Sequence, residues 1–220
     1  MIAHAESRPF ETLLGDDRLI PVIVLDTVAR SRPLGESLLR GGIAIAEVTL
    51  RTPEAARVLA EMVKVDGLTV GAGSVTRVEE VDLVAEAGGQ FIVSPGFSVQ
   101  IAERAVEVDL PYLPGCATAT DIMAALSRGL KTVKFFPAQA SGGIATIRAL
   151  TGPFPAVRFV PTGGISQHNY LDYLGEHCIA GVGGSWMVPP RAVNEERWQD
   201  IEDLCRATVA ALSDGSRSDG

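Results

Sequence analysis

The chain has 220 residues, of which 46% are hydrophobic and 21% charged. This is the composition of a soluble globular protein with enough chain for one substantial core. No apolar run reaches the ~18 residues of a membrane span, and a net charge of −8 argues against nucleic acid or an anionic membrane as partner. The cysteines, Cys116, Cys178 and Cys205, are too widely spaced for a metal-ligand pattern or a disulfide framework, which fits a reducing cytoplasm. The first residues show no basic head followed by an apolar block, so no signal peptide is expected.

Residues 1–17 are polar and mixed, and read as a tail or short helix ahead of the core. Leu19–Leu25 is a continuous apolar run rich in β-branched residues, as expected of a strand buried on both faces. Ser31–Arg40 reads as a helix with Ser31 as its N-cap and Gly41-Gly42 as its stop. Ile43–Leu50 is a second strand, and Pro53–Lys64 a helix capped by Thr52. Further strands fall at Leu68–Gly73, Gln90–Ser94, Leu110–Leu113, Lys131–Phe136, Ala156–Val160 and Cys178–Val182. Helices fall between them at Val75–Ala87, Ser98–Val108, Thr118–Arg128, a stretch ending at Leu150, and Ser166–Leu174. A last helix runs from about Asn194 to Ala211, and residues 213–220 read as a disordered tail. Residues 18–212 thus hold eight strand–helix alternations without a linker. That predicts a single-domain α/β protein, a (β/α)8 TIM barrel. An open doubly wound sheet competes with it, but no Gly-x-Gly-x-x-Gly fingerprint follows the first strand.

In such a barrel the site forms at the carboxyl ends of the strands. Strand parity puts Ile43, Ile45, Glu47, Thr49 and Arg51 on one face, so charge appears only at the end of that face. Glu47 and Arg51 read either as a salt bridge capping the barrel or as a proton-transfer base and a carboxylate clamp. Lys134 lies between Val133 and Phe135 and shares a face with Thr132 and Phe136, which makes Phe136 a pocket residue. Burial there favours a neutral, nucleophilic amine, able to form a Schiff base with a keto carbon; a solvated lysine on a half-exposed strand is the plainer alternative. Thr162-Gly163-Gly164 and Gly183-Gly184-Ser185 end the last two strands and leave backbone N–H groups for a phosphate, unless the glycines serve only tight turns. No His, Asp or Glu cluster has metal-ligand spacing.

Glu47-Val-Thr-Leu-Arg-Thr52, Gly71-Ala-Gly-Ser74, Ser94-Pro-Gly96, Lys134-Phe-Phe-Pro-Ala138, Pro161-Thr-Gly-Gly-Ile165 and Gly183-Gly-Ser-Trp186 together resemble the 2-keto-3-deoxy-6-phosphogluconate (KDPG) aldolase family, which includes the 4-hydroxy-2-oxoglutarate aldolases. The match runs in order from about Leu19 to Ala210. The resemblance implies a metal-free, cofactor-free class I aldolase, cytoplasmic and usually homotrimeric, acting on a small keto-acid sugar phosphate. By this resemblance Lys134 is the Schiff-base lysine and Glu47 the acid/base. Arg51, Ser74 and Thr162 would hold the substrate carboxylate, Gly163, Gly164 and Ser185 its phosphate, and Pro95 would line the pocket. Ser74 stands where the family commonly has threonine, and Gln139 where glutamate is frequent. A phosphosugar isomerase or epimerase using Glu47 as base, and a non-catalytic sugar-phosphate-binding barrel, remain open, and the residues do not rank the KDPG substrate against 4-hydroxy-2-oxoglutarate.

Overall fold

The structure, a computed structural model, describes residues 9–14 and 18–215. Among them are eight strands: β1 (Leu19–Ile23), β2 (Ile45–Thr49), β3 (Thr69–Gly73), β4 (Ile92–Val93), β5 (Tyr112–Leu113), β6 (Thr132–Phe135), β7 (Arg158–Pro161) and β8 (Val182–Gly184). The α-helices are α1 (Ser31–Arg40), α2 (Ala55–Met62), α3 (Val78–Glu86), α4 (Val99–Glu107), α5 (Ala119–Leu126), α6 (Gly143–Thr151), α7 (Tyr170–Leu174), α8 (Pro190–Asn194) and α9 (Trp198–Gly215). No helix among the described residues is long and apolar enough to cross a membrane.

Every strand pairing is parallel. Six strands form a sheet in the order β5-β4-β3-β2-β1-β8, and β6 pairs with β7. Single bridges, Gly115 to Lys134, Phe159 to Ile179 and Thr162 to Gly183, join these two sets on both sides. The result is a curled parallel sheet in an α/β fold. Parallel strands need long crossovers, and the helices supply them.

The sheet is buried on both faces, and the core is therefore double. On the helix side Ile23, Val48, Val70 and Ala72 pack with Leu34, Leu38, Val58 and Leu59. On the inner side Ile20, Ile45, Val93, Leu113, Val160 and Ala180 form a smaller cluster. Two residues beyond Ile45 and Val160 on the same face come Glu47 and Thr162, so a polar layer sits above an apolar one.

Several expectations change at the element ends. The short helix foreseen within residues 1–17 is a 3-10 turn at Phe10–Leu13; residues 1–8 and 15–17 lie outside the described residues. Phe10 is buried in the inner cluster, where it meets Phe91 edge-on at 5.3 Å between ring centroids. Ser31 does not cap α1. A 3-10 turn, Val28–Arg30, runs directly into the helix, and Ser31 Oγ is buried without a partner among the described residues. Thr52 does not cap α2 either, because its hydroxyl donates to the Leu25 carbonyl at 2.8 Å and the helix starts at Ala55.

At the other end of the chain, β8 starts later than expected and takes in both glycines, which pair with Ile20 and Pro21. A side chain at Gly183 would strike Thr162. The expected final helix is α9, which starts at Trp198; a short helix not foreseen, α8, ends at Asn194, and Glu196 between them has φ +54°. Helix α9 continues to Gly215, past the expected start of the tail; residues 216–220 lie outside the described residues.

All three cysteines are free and buried. Burial pushes the Cys116 and Cys205 thiols up to about 12, and raises that of Cys178. A group whose folded value lies above its unfolded one stabilises the fold at lower pH and loses that contribution as pH rises. We therefore expect stability to fall between roughly pH 8.5 and 12, by up to ~1.4 kcal/mol per pH unit for each of Cys116 and Cys205. Urea unfolding of Cys116→Ala and Cys205→Ala across that range should show shallower slopes than the parent chain; equal slopes would remove the thiols from the account. The folded protein should also leave Ellman's reagent uncoloured until denaturant is added.

Candidate active site

Lys134 is held through its backbone before its side chain is considered. Its N–H donates to the Pro114 carbonyl and its carbonyl accepts from Cys116 N–H, both at 2.8 Å. Sequence distance is large, since β6 receives these bonds from the turn after β5. The amine Nζ lies 3.2 Å from Glu47 Oε1 and 3.4 Å from Oε2. Lys134 is 5% exposed and Glu47 2%, so this is a buried pair, and the solvated-lysine alternative is excluded. The face of Phe136 covers the amine at 5.4 Å from the ring centroid.

Arg51 does not pair with Glu47. It is exposed, and its Nε donates to Ser74 Oγ at 2.9 Å. Of the two alternatives the salt-bridge cap is excluded: β2 ends at Thr49 and residues 50–51 form a turn. Arg51 has no carboxylate partner among the described residues, so its guanidinium fork is open to one. Ser74 supports it from a left-handed backbone, φ +61°, a conformation costly for a β-branched residue. Thr162 Oγ1 is buried and has no partner among the described residues. Buried hydroxyls rarely stay unpaired, which suits a hydroxyl kept for a ligand.

Gly163 and Gly164 both have positive φ, +95° and +78°, and the side chain of Gln139 fills the space beside Gly164. The N–H groups of Gly164 and Ser185 have no backbone acceptor among the described residues, while that of Gly163 is turned to the Gly183 carbonyl in the bridge between Thr162 and Gly183. The Thr162–Gly183 bridge brings the two loops side by side. Pro95 is exposed at the end of β4.

Two supports escaped the sequence reading. A side chain at Gly73 would overlap the Glu47 carboxylate, so this glycine makes room for the acid. The signal was available, because Gly71-Ala-Gly73 stands on the strand next to Glu47. The second is a hydroxyl pair, Ser94 Oγ and Tyr112 Oη at 2.5 Å, both also directed at the Gly96 carbonyl. It ties down the Pro95-Gly96 turn. Nothing local in the sequence signals a pair 18 residues apart. Among the described residues there is no group of His, Cys, Asp and Glu that could hold a metal ion.

Residues 10–204 match the family model for KDPG and KHG aldolase. The chain is 40% identical over 206 residues to the 2-dehydro-3-deoxy-phosphogluconate aldolase of Dickeya dadantii, covering 92% of this chain and 96% of that one. It is 40% identical over 200 residues to the KHG/KDPG aldolase of Escherichia coli K12, covering 90% and 94%. A solved structure of the Legionella pneumophila KDPG aldolase, with pyruvate captured at low pH as a covalent carbinolamine intermediate, superposes with a TM-score of 0.87. It shares 39% identity over 90% of this chain and 97% of that one. Fold, buried lysine and matches define an enzyme of the aldolase class, a carbon–carbon lyase. Within that class, the chain belongs to the KDPG and KHG aldolase family.

Proposed function

We propose that this chain is a class I aldolase that reversibly cleaves 2-keto-3-deoxy-6-phosphogluconate to pyruvate and glyceraldehyde 3-phosphate. The observation that carries the reading is Lys134 Nζ at 3.2 Å from Glu47, buried at the carboxyl end of a curled parallel sheet. Proton transfer within this pair leaves a neutral amine. That amine attacks the C2 ketone, and loss of water yields a protonated imine. Glu47, deprotonated again, accepts the C4 hydroxyl proton. The C3–C4 bond breaks, its electrons pass to the imine to leave an enamine, and the aldehyde departs. Glu47 returns the proton to C3, and hydrolysis of the imine frees pyruvate and restores Lys134.

In the same reading Arg51, with Ser74 and Thr162, holds the keto-acid carboxylate. Gly163, Gly164 and Ser185 cradle the phosphate, Gly164 and Ser185 through open N–H groups, while Pro95 and Phe136 wall the pocket. Phosphate binding remote from the reacting bond fixes orientation and lowers the barrier. 4-Hydroxy-2-oxoglutarate carries the same 2-keto acid and 4-hydroxyl, so the same lysine and acid can cleave it to pyruvate and glyoxylate. The eight strands of residues 18–212 form one domain and close into a (β/α)8 barrel through the bridges flanking β6 and β7, and the enzyme works as a cytoplasmic homotrimer.

Incubation with pyruvate and borohydride tests the chemistry directly. A reduced pyruvyl adduct is expected on the peptide containing Lys134. An unmodified Lys134 in active enzyme would leave the imine route without support and favour an isomerase or epimerase.

A further inference from the structure

Of the arginines among the described residues, all but three lie within 4.0 Å of a carboxylate. One of the three is Arg51. The other two, Arg18 and Arg158, stand together at the opposite end of the sheet. Arg18 immediately precedes β1, and Arg158 is the first residue of β7, in register with Thr132. Arg18 donates through Nη1 to the Ile179 carbonyl at 3.1 Å and through Nη2 to the Leu174 carbonyl at 2.9 Å. Arg158 donates through Nη2 to that same Ile179 carbonyl at 3.2 Å. Two guanidiniums thus converge on one oxygen, and most of their N–H donors have no acceptor among the described residues.

Arg18 is half-buried and Arg158 exposed, so the pair presents its positive charge at an opening to solvent. Burial, and then the charge of Arg158, hold the Arg18 guanidinium below the usual arginine range. The backbone of Arg18 also adopts φ +54°, a region that side chains other than glycine seldom occupy. Between the two side chains opens a cavity of about 370 Å³, lined by Glu11, Leu14, Arg18, Arg158 and Ala180, a size that accepts a small metabolite. Glu11 is more than 4.0 Å from either guanidinium. Asp16 and Asp17 lie outside the described residues.

Parity separates this cavity from the aldolase chemistry. Arg158, Val160 and Thr162 share one face of β7, so the cavity and the hydroxyl are about 13 Å apart along the strand. The apolar layer of Ile20, Phe91, Val160 and Ala180 lies between them.

We propose that Arg18 and Arg158 form a second anion site, at the amino ends of the strands, for the phosphate or carboxylate group of a small metabolite. Planar forks of this kind bind either oxyanion through paired N–H donors. A bound anion ties the Phe10–Leu13 turn, β1, β7 and the approach to β8 together, and so stabilises the fold by mass action.

Equilibrium dialysis against radiolabelled inorganic phosphate, and separately against labelled succinate, tests this on the full chain. The parent protein is expected to bind one saturable equivalent more than Arg18→Gln or Arg158→Gln. Arg158→Lys keeps the charge and should retain that equivalent at an affinity reduced by less than tenfold. Loss in the phosphate arm alone assigns the site to phosphate groups, and loss in the succinate arm alone assigns it to carboxylates. Aldol cleavage by Arg158→Gln within twofold of the parent rate shows the variant is folded. Equal equivalents in the parent and both glutamine variants, in both arms, overturn the proposal and leave the arginines to partners within the chain.

Discussion

Lys134→Met is expected to lower the cleavage rate by roughly 10⁴- to 10⁶-fold, the scale on which an enzyme loses turnover with its covalent nucleophile. It should also lower stability, and the two losses have separate causes. Catalysis fails because no amine remains to form the imine. Stability falls because Glu47, 2% exposed, loses the only cation beside it among the described residues. Breaking a buried pair from one side costs about 3–5 kcal/mol, since the remaining charge stays desolvated. Replacing both partners with apolar residues removes that penalty. The double variant Lys134→Met/Glu47→Leu should therefore regain most of the lost stability in urea unfolding while remaining inactive and untrapped by borohydride. Were the single variant as stable as the parent, the pair would not be the desolvated contact described above.

How much of this arrangement could be read beforehand depends on the range of the interaction. Period-two parity placed Glu47 on the inner face of β2 and Lys134 on that of β6, because each assignment needs only a few neighbouring residues. The contact between them spans 87 residues and is set by how the sheet curls. Parity put Arg51 on the face of Glu47 and so left a salt bridge between them open beside the carboxylate clamp. That presumed the strand would last, but it ends at Thr49, and Arg51 turns to Ser74 instead. Helix starts failed for a related reason. Ser31 and Thr52 have capping chemistry, yet a preceding 3-10 turn and the Leu25 carbonyl take precedence. Phe10 was hidden by its polar neighbours, although its ring fills the amino end of the inner core. At β8, glycines read as a stop proved to be paired strand, because only a residue without Cβ fits against Thr162 and the Trp186 ring.

Glu47→Gln should cut kcat by roughly 10²- to 10⁴-fold, the usual range for losing a general acid/base, and should leave the imine on Lys134 trappable. Glutamine preserves the shape and can still accept a hydrogen bond from the amine, but it cannot take the C4 hydroxyl proton or return one to C3. A loss in kcat with a nearly unchanged KM identifies an interaction made in the transition state. Gly73→Ala probes the same group without touching its chemistry. Its methyl would occupy the space of the Glu47 carboxylate, and the acid must shift by the order of an ångström, which costs on the order of 10² in rate when alignment matters. The two variants should then show the same signature at different depth: slower turnover, intact carboxylate and phosphate binding, and borohydride adducts still forming on Lys134. If Gly73→Ala instead raised KM with kcat preserved, the glycine would be serving the substrate pocket and not the position of Glu47. Full turnover by Glu47→Gln would pass proton transfer to another group, and the inner face of β2 would then be structural.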